Sequence, residues 1–270
     1  MNYYTDVLPG DVSKSSPHKF DKEGVIMTKI PYTQEYHYHA TSIASYAIMS
    51  KDKIRIFESQ IEWLMNNIDD DGAYRHHFIL PFYENFPKVW VGGLAQGLAI
   101  SALLLADERK TAKQAFNCMK KECVDIDENG CYWIEEYPLT QPVRILNGFI
   151  YALFGVYDLF KKTNNPSASL LWHEGIKTVR TNLNRYDLGS WSKYDLLEEL
   201  PATKFYNEVH VKQLTALYII TKDDLFMNYA ERWNEYTKKI QMMRIKKIVK
   251  KNGIIGCWSK YRKRKRWLAG

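Results

Sequence analysis

Only four cysteines occur in 270 residues: Cys118, Cys123, Cys131 and Cys257, with no two spaced as CxxC. That spacing matches no zinc framework, and the cysteines read as free thiols rather than a disulfide scaffold. No HExxH or comparable set of histidines is present, so no metal or other cofactor is implied. Long apolar runs are missing too. The two most apolar stretches, residues 94–106 and 145–160, fall short of the ~20 clean apolar residues that a membrane span needs. The opening MNYYTDVLPGDVSKSS has no basic segment followed by an apolar one, so no signal peptide is visible and a soluble, cytosolic chain is expected. Acidic residues are absent from Lys238 onward, where 13 Lys and Arg fall together. The other 25 basic residues face 31 acidic ones, a net of −6, so basicity belongs to the tail and the body does not suggest a nucleic-acid surface.

What is present is a large store of apolar and aromatic side chains, 46% and 14% of the chain, enough for a sizeable core. Helical periodicity marks four pairs of segments: 39–50 with 52–67, 94–107 with 110–121, 143–161 with 167–183, and 209–221 with 223–240. The first member of each pair is apolar on nearly all sides and the second is amphipathic, as inner and outer helices should be. The connections rhyme: DDDGAY at 69–74, DENGCY at 127–132, YDLGSW at 186–191 and KNGIIGCW at 251–258, each a turn or hairpin with Gly at its tip. The expected fold is all-α: an α/α toroid, or incomplete barrel, of four helical hairpins with short β-hairpin loops at one mouth. An open α-solenoid is the alternative. Inner-helix N-termini at the mouth would carry partial positive charge and suit an anion. The expected organisation is an N-terminal extension (1–30), the helical domain (31–243) and a basic tail (244–270).

Five segments in order carry a resemblance, EEYP (135–138), LNGFIYALFGVYDL (146–159), YDLG (186–189), KYDL (193–196) and FYNEVHVKQL (205–214), with LAQGLAISALLLA (94–106) similar upstream. Together they resemble the C-terminal catalytic domain of D-glucuronyl C5-epimerases, which convert glucuronate to iduronate within heparan-type polysaccharide. The resemblance covers roughly residues 30 to 240. Two departures stand out: Leu197 occupies the position of an arginine, and Asn207 departs from the family's aromatic-Asp-Tyr-His run.

Epimerisation at C5 requires one group to take a weakly acidic proton and another to return one from the opposite face. The charge that develops on the carboxylate must also be stabilised. The resemblance implies that Tyr137, Tyr194 and Tyr206 transfer protons and that Glu136 assists them, all four around one cleft. A phenol with a solution pKa near ~10 is a weak base at neutral pH, so Lys193 and Lys204 are expected to help. Strand alternation sends Glu135 and Glu136 to opposite sides, and Glu136 is taken as the one facing the sugar. Tyr132 or Trp133 would offer the sugar an apolar face. Trp90, Gln96, Arg144, Asn147, Glu135 and His210 complete the expected substrate contacts; Tyr36, His37, His39, His76 and His77 are weaker candidates. A toroid polysaccharide lyase, a glycosidase using Glu136 with Asp195, and a non-catalytic glycan binder remain alternatives. The expected partner is an acidic polysaccharide and not nucleic acid, with a homodimer left open. The basic tail, with Arg244, Lys246, Lys247 and Arg262–Arg266, is expected to engage polyanion, either the polymer or an anionic membrane surface.

Overall fold

The computed structural model describes residues 4, 17–30, 35–80, 83 and 85–245; the KNGIIGCW loop and nearly all of the basic tail lie outside them. The described chain is mostly helical, with eight α-helices and three small antiparallel sheets. It divides into two compact units, Met1–Arg144 with Gly148–Val179, and Ile145–Asn147 with Arg180–Gly270. No helix among the described residues is long and apolar enough to cross a membrane.

Strands β1 (His18–Phe20), β2 (Ile26–Lys29) and β3 (Tyr36–His37) form a sheet in the first unit, with β2 against helix α1 (Ala40–Met49). The sheet thus joins residues on both sides of the boundary expected at residue 30. Helix α2 (Ile54–Asn66), the short ladder of β4 (Arg75–His76) with β5 (Trp90–Val91), helix α3 (Gly93–Leu105) and helix α4 (Arg109–Glu122) follow. Strands β6 (Val124–Ile126) and β7 (Tyr132–Ile134) then lead to α5 (Leu146–Thr163) and α6 (Pro166–Asn182). α1 packs on α3 and on α2, and α3 packs on α4. α1 and α3 are buried on nearly every side, whereas α2 and α4 bury a single stripe, the inner and outer character their sequences call for.

Small residues let α3 and α5 touch backbone to backbone. A Cβ on Gly97 would lie 2.5 Å from the Ala152 Cα, and one on Gly155 would collide with the Gly97 carbonyl. Beside these helices, Tyr4 stacks on Tyr151, meets Phe154 edge-on and hydrogen-bonds the Ser101 hydroxyl at 2.5 Å. Ser101 donates in turn to Asp158 at 2.6 Å.

One turn recurs along the first unit. At Asp21, Asp69 and Asp127 the aspartate N–H donates to the carbonyl four residues on, and a glycine three residues on donates back to the aspartate carbonyl. Gly24, Gly72 and Gly130 are left-handed there, with φ of 82°, 86° and 72°. Asp21 and Asp127 also accept two backbone N–H bonds on one carboxylate oxygen. The DKEG member at 21–24 had no counterpart among the loops expected from sequence.

The second unit contains the 3-10 turn Leu183–Tyr186, helix α7 (Lys204–Thr221) and helix α8 (Asp224–Ile245), which pack on each other. α7 begins five residues before the expected 209, because Thr203 caps it by accepting the Tyr206 N–H. Tyr206 therefore sits in a helical first turn.

Gly155→Ala tests the α3–α5 approach. Overpacking against a backbone carbonyl should destabilise the fold by about 1–3 kcal/mol in urea denaturation. A midpoint equal to that of the native chain would show that the helices separate freely.

Candidate functional site

In the first unit the Glu135–Tyr137 segment leaves β7 and crosses the start of α3. The Gly93 N–H donates to the Glu135 carbonyl at 2.9 Å, and side chains at Gly92 or Gly93 would strike the carbonyls of Glu136 and Glu135. The two adjacent carboxylates then part. Glu135 turns to Arg144, which bonds it through both backbone N–H and guanidinium, and Arg144 also bonds Asp125. The guanidinium lies 4.7 Å over the Trp133 ring. Arg144 adopts a left-handed φ of 58°, a cost these contacts offset. Burial raises the Glu135 pKa above the ordinary carboxylate value, and Arg144 opposes that rise.

Glu136 turns toward the first turn of α5. A side chain at Gly148 would collide with the Glu136 carboxylate, so the glycine makes room for it. Tyr137 follows in an aromatic wall, its ring 5.5 Å from Tyr83 and 5.6 Å from both Phe86 and Trp90. The wall continues from Trp90 to His76 at 4.2 Å and on to His39 at 4.8 Å. Burial, with its histidine neighbours, lowers His76 well below the usual range, and burial lowers His39 to about 3, so both rings are neutral near pH 7. His76 is 2% exposed, whereas its neighbour His77 is exposed.

Three expected contacts take other parts. Gln96 is fully buried; its carbonyl accepts from Tyr74 N and its amide donates to the Gly72 and Ala115 carbonyls, fastening the Asp69 turn to α3. That is core work and corrects the expected sugar contact. Trp133 is 1% exposed and spends its N–H on Asp127, which leaves no face for a sugar. Trp90 is 5% exposed with its N–H on the Phe78 carbonyl, so its part is to back Tyr137. Tyr132 is half-buried, its backbone N–H held by Thr178.

In the second unit the Tyr194 and Tyr206 rings lie 4.8 Å apart. Tyr194 is fixed by its backbone: its N–H donates to Leu200 O at 2.7 Å and its carbonyl accepts from Leu146 N at 3.2 Å. Asp195 is buried and accepts from Glu198 N. Lys193 pairs with Glu199 at 2.8 Å and Lys204 with Glu208 at 3.2 Å, so both cations have carboxylate partners. Gln213 Nε2 donates to the Asn147 carbonyl at 2.9 Å. His210 is fully buried, its Nδ1 3.0 Å from the Ser192 hydroxyl. Asp125, Tyr83, Phe86, Ser192 and Gln213 were not singled out in sequence; only the burial and bonding of their neighbours reveal them. Among the described residues no group of His, Cys, Asp and Glu is arranged to hold a metal ion.

The first unit thus holds two buried carboxylates and two neutral histidines, and the second unit holds a close pair of phenols. The chain belongs to the family described as D-glucuronyl C5-epimerase C-terminus, whose model matches residues 68–235. It is similar to an uncharacterised protein of Methanocaldococcus jannaschii, 31% identical over 250 residues, covering 85% of this chain and 77% of that one. It is also similar to the D-glucuronyl C5-epimerase of Caenorhabditis elegans, 28% identical over 249 residues and 80% of this chain. The match spans only 38% of the worm enzyme's length. Among solved structures, a family 76 glycoside hydrolase (mannosidase) of Bacteroides thetaiotaomicron aligns with a TM-score of 0.45 at 12% identity, covering 74% of this chain and 53% of that one.

Arg144→Met should cost about 3–5 kcal/mol at pH 7, because it strands a buried carboxylate. A raised Glu135 pKa means the folded state keeps its proton to higher pH than the unfolded chain, so stability falls as pH rises through that window. Without Arg144 the window extends upward. Urea denaturation should therefore show a smaller deficit at pH 5 than at pH 7, and an equal deficit would separate Glu135 from the effect.

Proposed function

We propose that the protein is a D-glucuronyl C5-epimerase acting on a glucuronate-containing polysaccharide of heparosan or heparan type, converting D-glucuronate to L-iduronate. The observation that carries the reading is the parting of Glu135 and Glu136. One carboxylate is committed to Arg144, while the other is lodged by Gly148 at the start of α5, directly before a buried tyrosine in an aromatic wall. A structural pair would need no such asymmetry. Family membership supplies the substrate class.

In the proposed reaction a base removes the C5 proton, the electron pair passes into the adjacent carboxylate as an enediolate, and an acid returns a proton to C5 from the other face. Tyr137, Tyr194 and Tyr206 are assigned to proton transfer. Glu136 accepts a hydrogen bond or a proton from a phenol, and Lys193 is assigned to the charge that develops on the sugar carboxylate. The acidic polymer is the proposed partner, and the basic tail is assigned to drawing it in.

Incubating unsulfated heparosan with the protein in deuterated water tests this directly. Deuterium should enter at C5 and iduronate should appear, with chain length unchanged and no ultraviolet-absorbing unsaturated ends. New unsaturated ends would make it a lyase, new reducing ends a hydrolase, and binding without exchange a glycan-binding protein. Tyr137→Phe and Tyr194→Phe should each lower exchange by ~10²-fold or more while the polymer still binds. Near-native exchange in both variants would remove the tyrosines from the mechanism.

A further inference from the structure

The second unit holds a buried polar network to which the reaction above assigns no role. Ser192 lies two residues before Tyr194, and Asn207 directly follows Tyr206. The backbone N–H and the hydroxyl of Ser192 both donate to Asn207 Oδ1, at 3.3 and 2.8 Å. Asn207 Nδ2 donates to Thr237 Oγ1 at 2.9 Å and to the Trp233 carbonyl at 3.3 Å, both on α8. The carbonyl accepts only, so these bonds fix which end of the amide faces Ser192. The serine's one proton is therefore spent on Asn207. In its 3.0 Å contact with His210 the imidazole must donate, which makes His210 the neutral Nδ1–H tautomer. Its bare Nε2 is buried with no hydrogen-bond partner among the described residues. Burial lowers this imidazole's pKa to about 3, in keeping with the neutral form.

We infer that this network positions the phenol pair: the Ser192–Asn207 clamp ties the loop carrying Tyr194 to the helical turn carrying Tyr206, and His210 completes the clamp from below. The inference rests on the epimerase reading for its functional meaning. An apolar trio of similar volume would fill the same space without the cost of burying polar groups. The directional bonds of Ser192 and Asn207 instead specify one arrangement of the two segments. That arrangement sets the 4.8 Å ring contact, and a small displacement of a proton-transfer group costs rate far more than binding. His210 and Ser192 act through the tyrosines and are positioning residues.

The test compares Ser192→Ala, Ser192→Thr and Asn207→Asp in the full chain, with circular dichroism confirming that each folds. Exchange at C5 of unsulfated heparosan should fall between about 10-fold and 10²-fold in kcat for Ser192→Ala, with KM little changed. Ser192→Thr keeps the hydroxyl and should restore most of the rate. Asn207→Asp places a carboxylate one hydroxyl from His210, so the imidazole should become titratable in nitrogen-15 NMR and add an ionisation to the pH–rate profile. Proton NMR contacts between the Tyr194 and Tyr206 rings need no turnover; they should persist in Ser192→Thr and weaken in Ser192→Ala. Native kcat and unchanged ring contacts in Ser192→Ala would overturn the clamp. If the native protein exchanges no C5 proton, the epimerase reading falls, and the ring contacts alone then decide the clamp.

Discussion

Helices α3 and α5 meet where neither carries a side chain, and much of the first unit follows from that contact. Gly155 lies against the Gly97 carbonyl, and Gly97 lies against the Ala152 backbone. Any larger residue would part the helices. Close packing of this kind relies on dispersion between backbones and on the surrounding Leu98, Leu153 and Phe154, all fully buried. It also disciplines the segment that crosses it. The Glu135–Tyr137 segment lies against Gly92 and Gly93 at the start of α3, and its Glu136 carboxylate lies over Gly148. Three glycines, Gly92, Gly93 and Gly148, thus leave that segment one path.

Along that path two neighbouring carboxylates acquire different characters. Glu135 is bound by a guanidinium that is itself shared with Asp125 and stacked on Trp133. Such a buried pair adds little net stability, because desolvation offsets much of its attraction, but it fixes a geometry. Glu136 lies where Gly148, lacking a side chain, leaves room for its carboxylate. The distinction needs Arg144 in a left-handed backbone conformation that few arginines adopt.

Much of the helical framework was legible in the sequence, since inner helices are apolar all round and outer ones striped. The eight helices of the described residues begin and end within a few residues of the expected segments, except that Thr203 caps α7 early and α8 runs on to Ile245, past the expected 240. Strand alternation led to the expectation that Glu135 and Glu136 part; they do part, but past the end of β7, where Arg144 and Gly148 set their directions. Gln96 and Trp133 were not legible. Glutamine and tryptophan each have a polar handle suited to a ligand or to a backbone group, and only the fold decides which is in reach. The turn at Asp21 escaped notice because DKEG precedes the first helical pair, whereas the other loops were recognised as links between pairs. Asn207 looked like a departure from the family pattern; within the fold it is the hub joining Ser192 to α8.

Tyr4 has a practical consequence for handling the protein. Its ring occupies a slot beside Tyr151 and Phe154, and its hydroxyl joins Ser101 and, through it, Asp158. Any change that disturbs this residue amounts to a core mutation. The loss of a buried aromatic ring costs about 3–5 kcal/mol, a large share of the margin by which most domains stay folded.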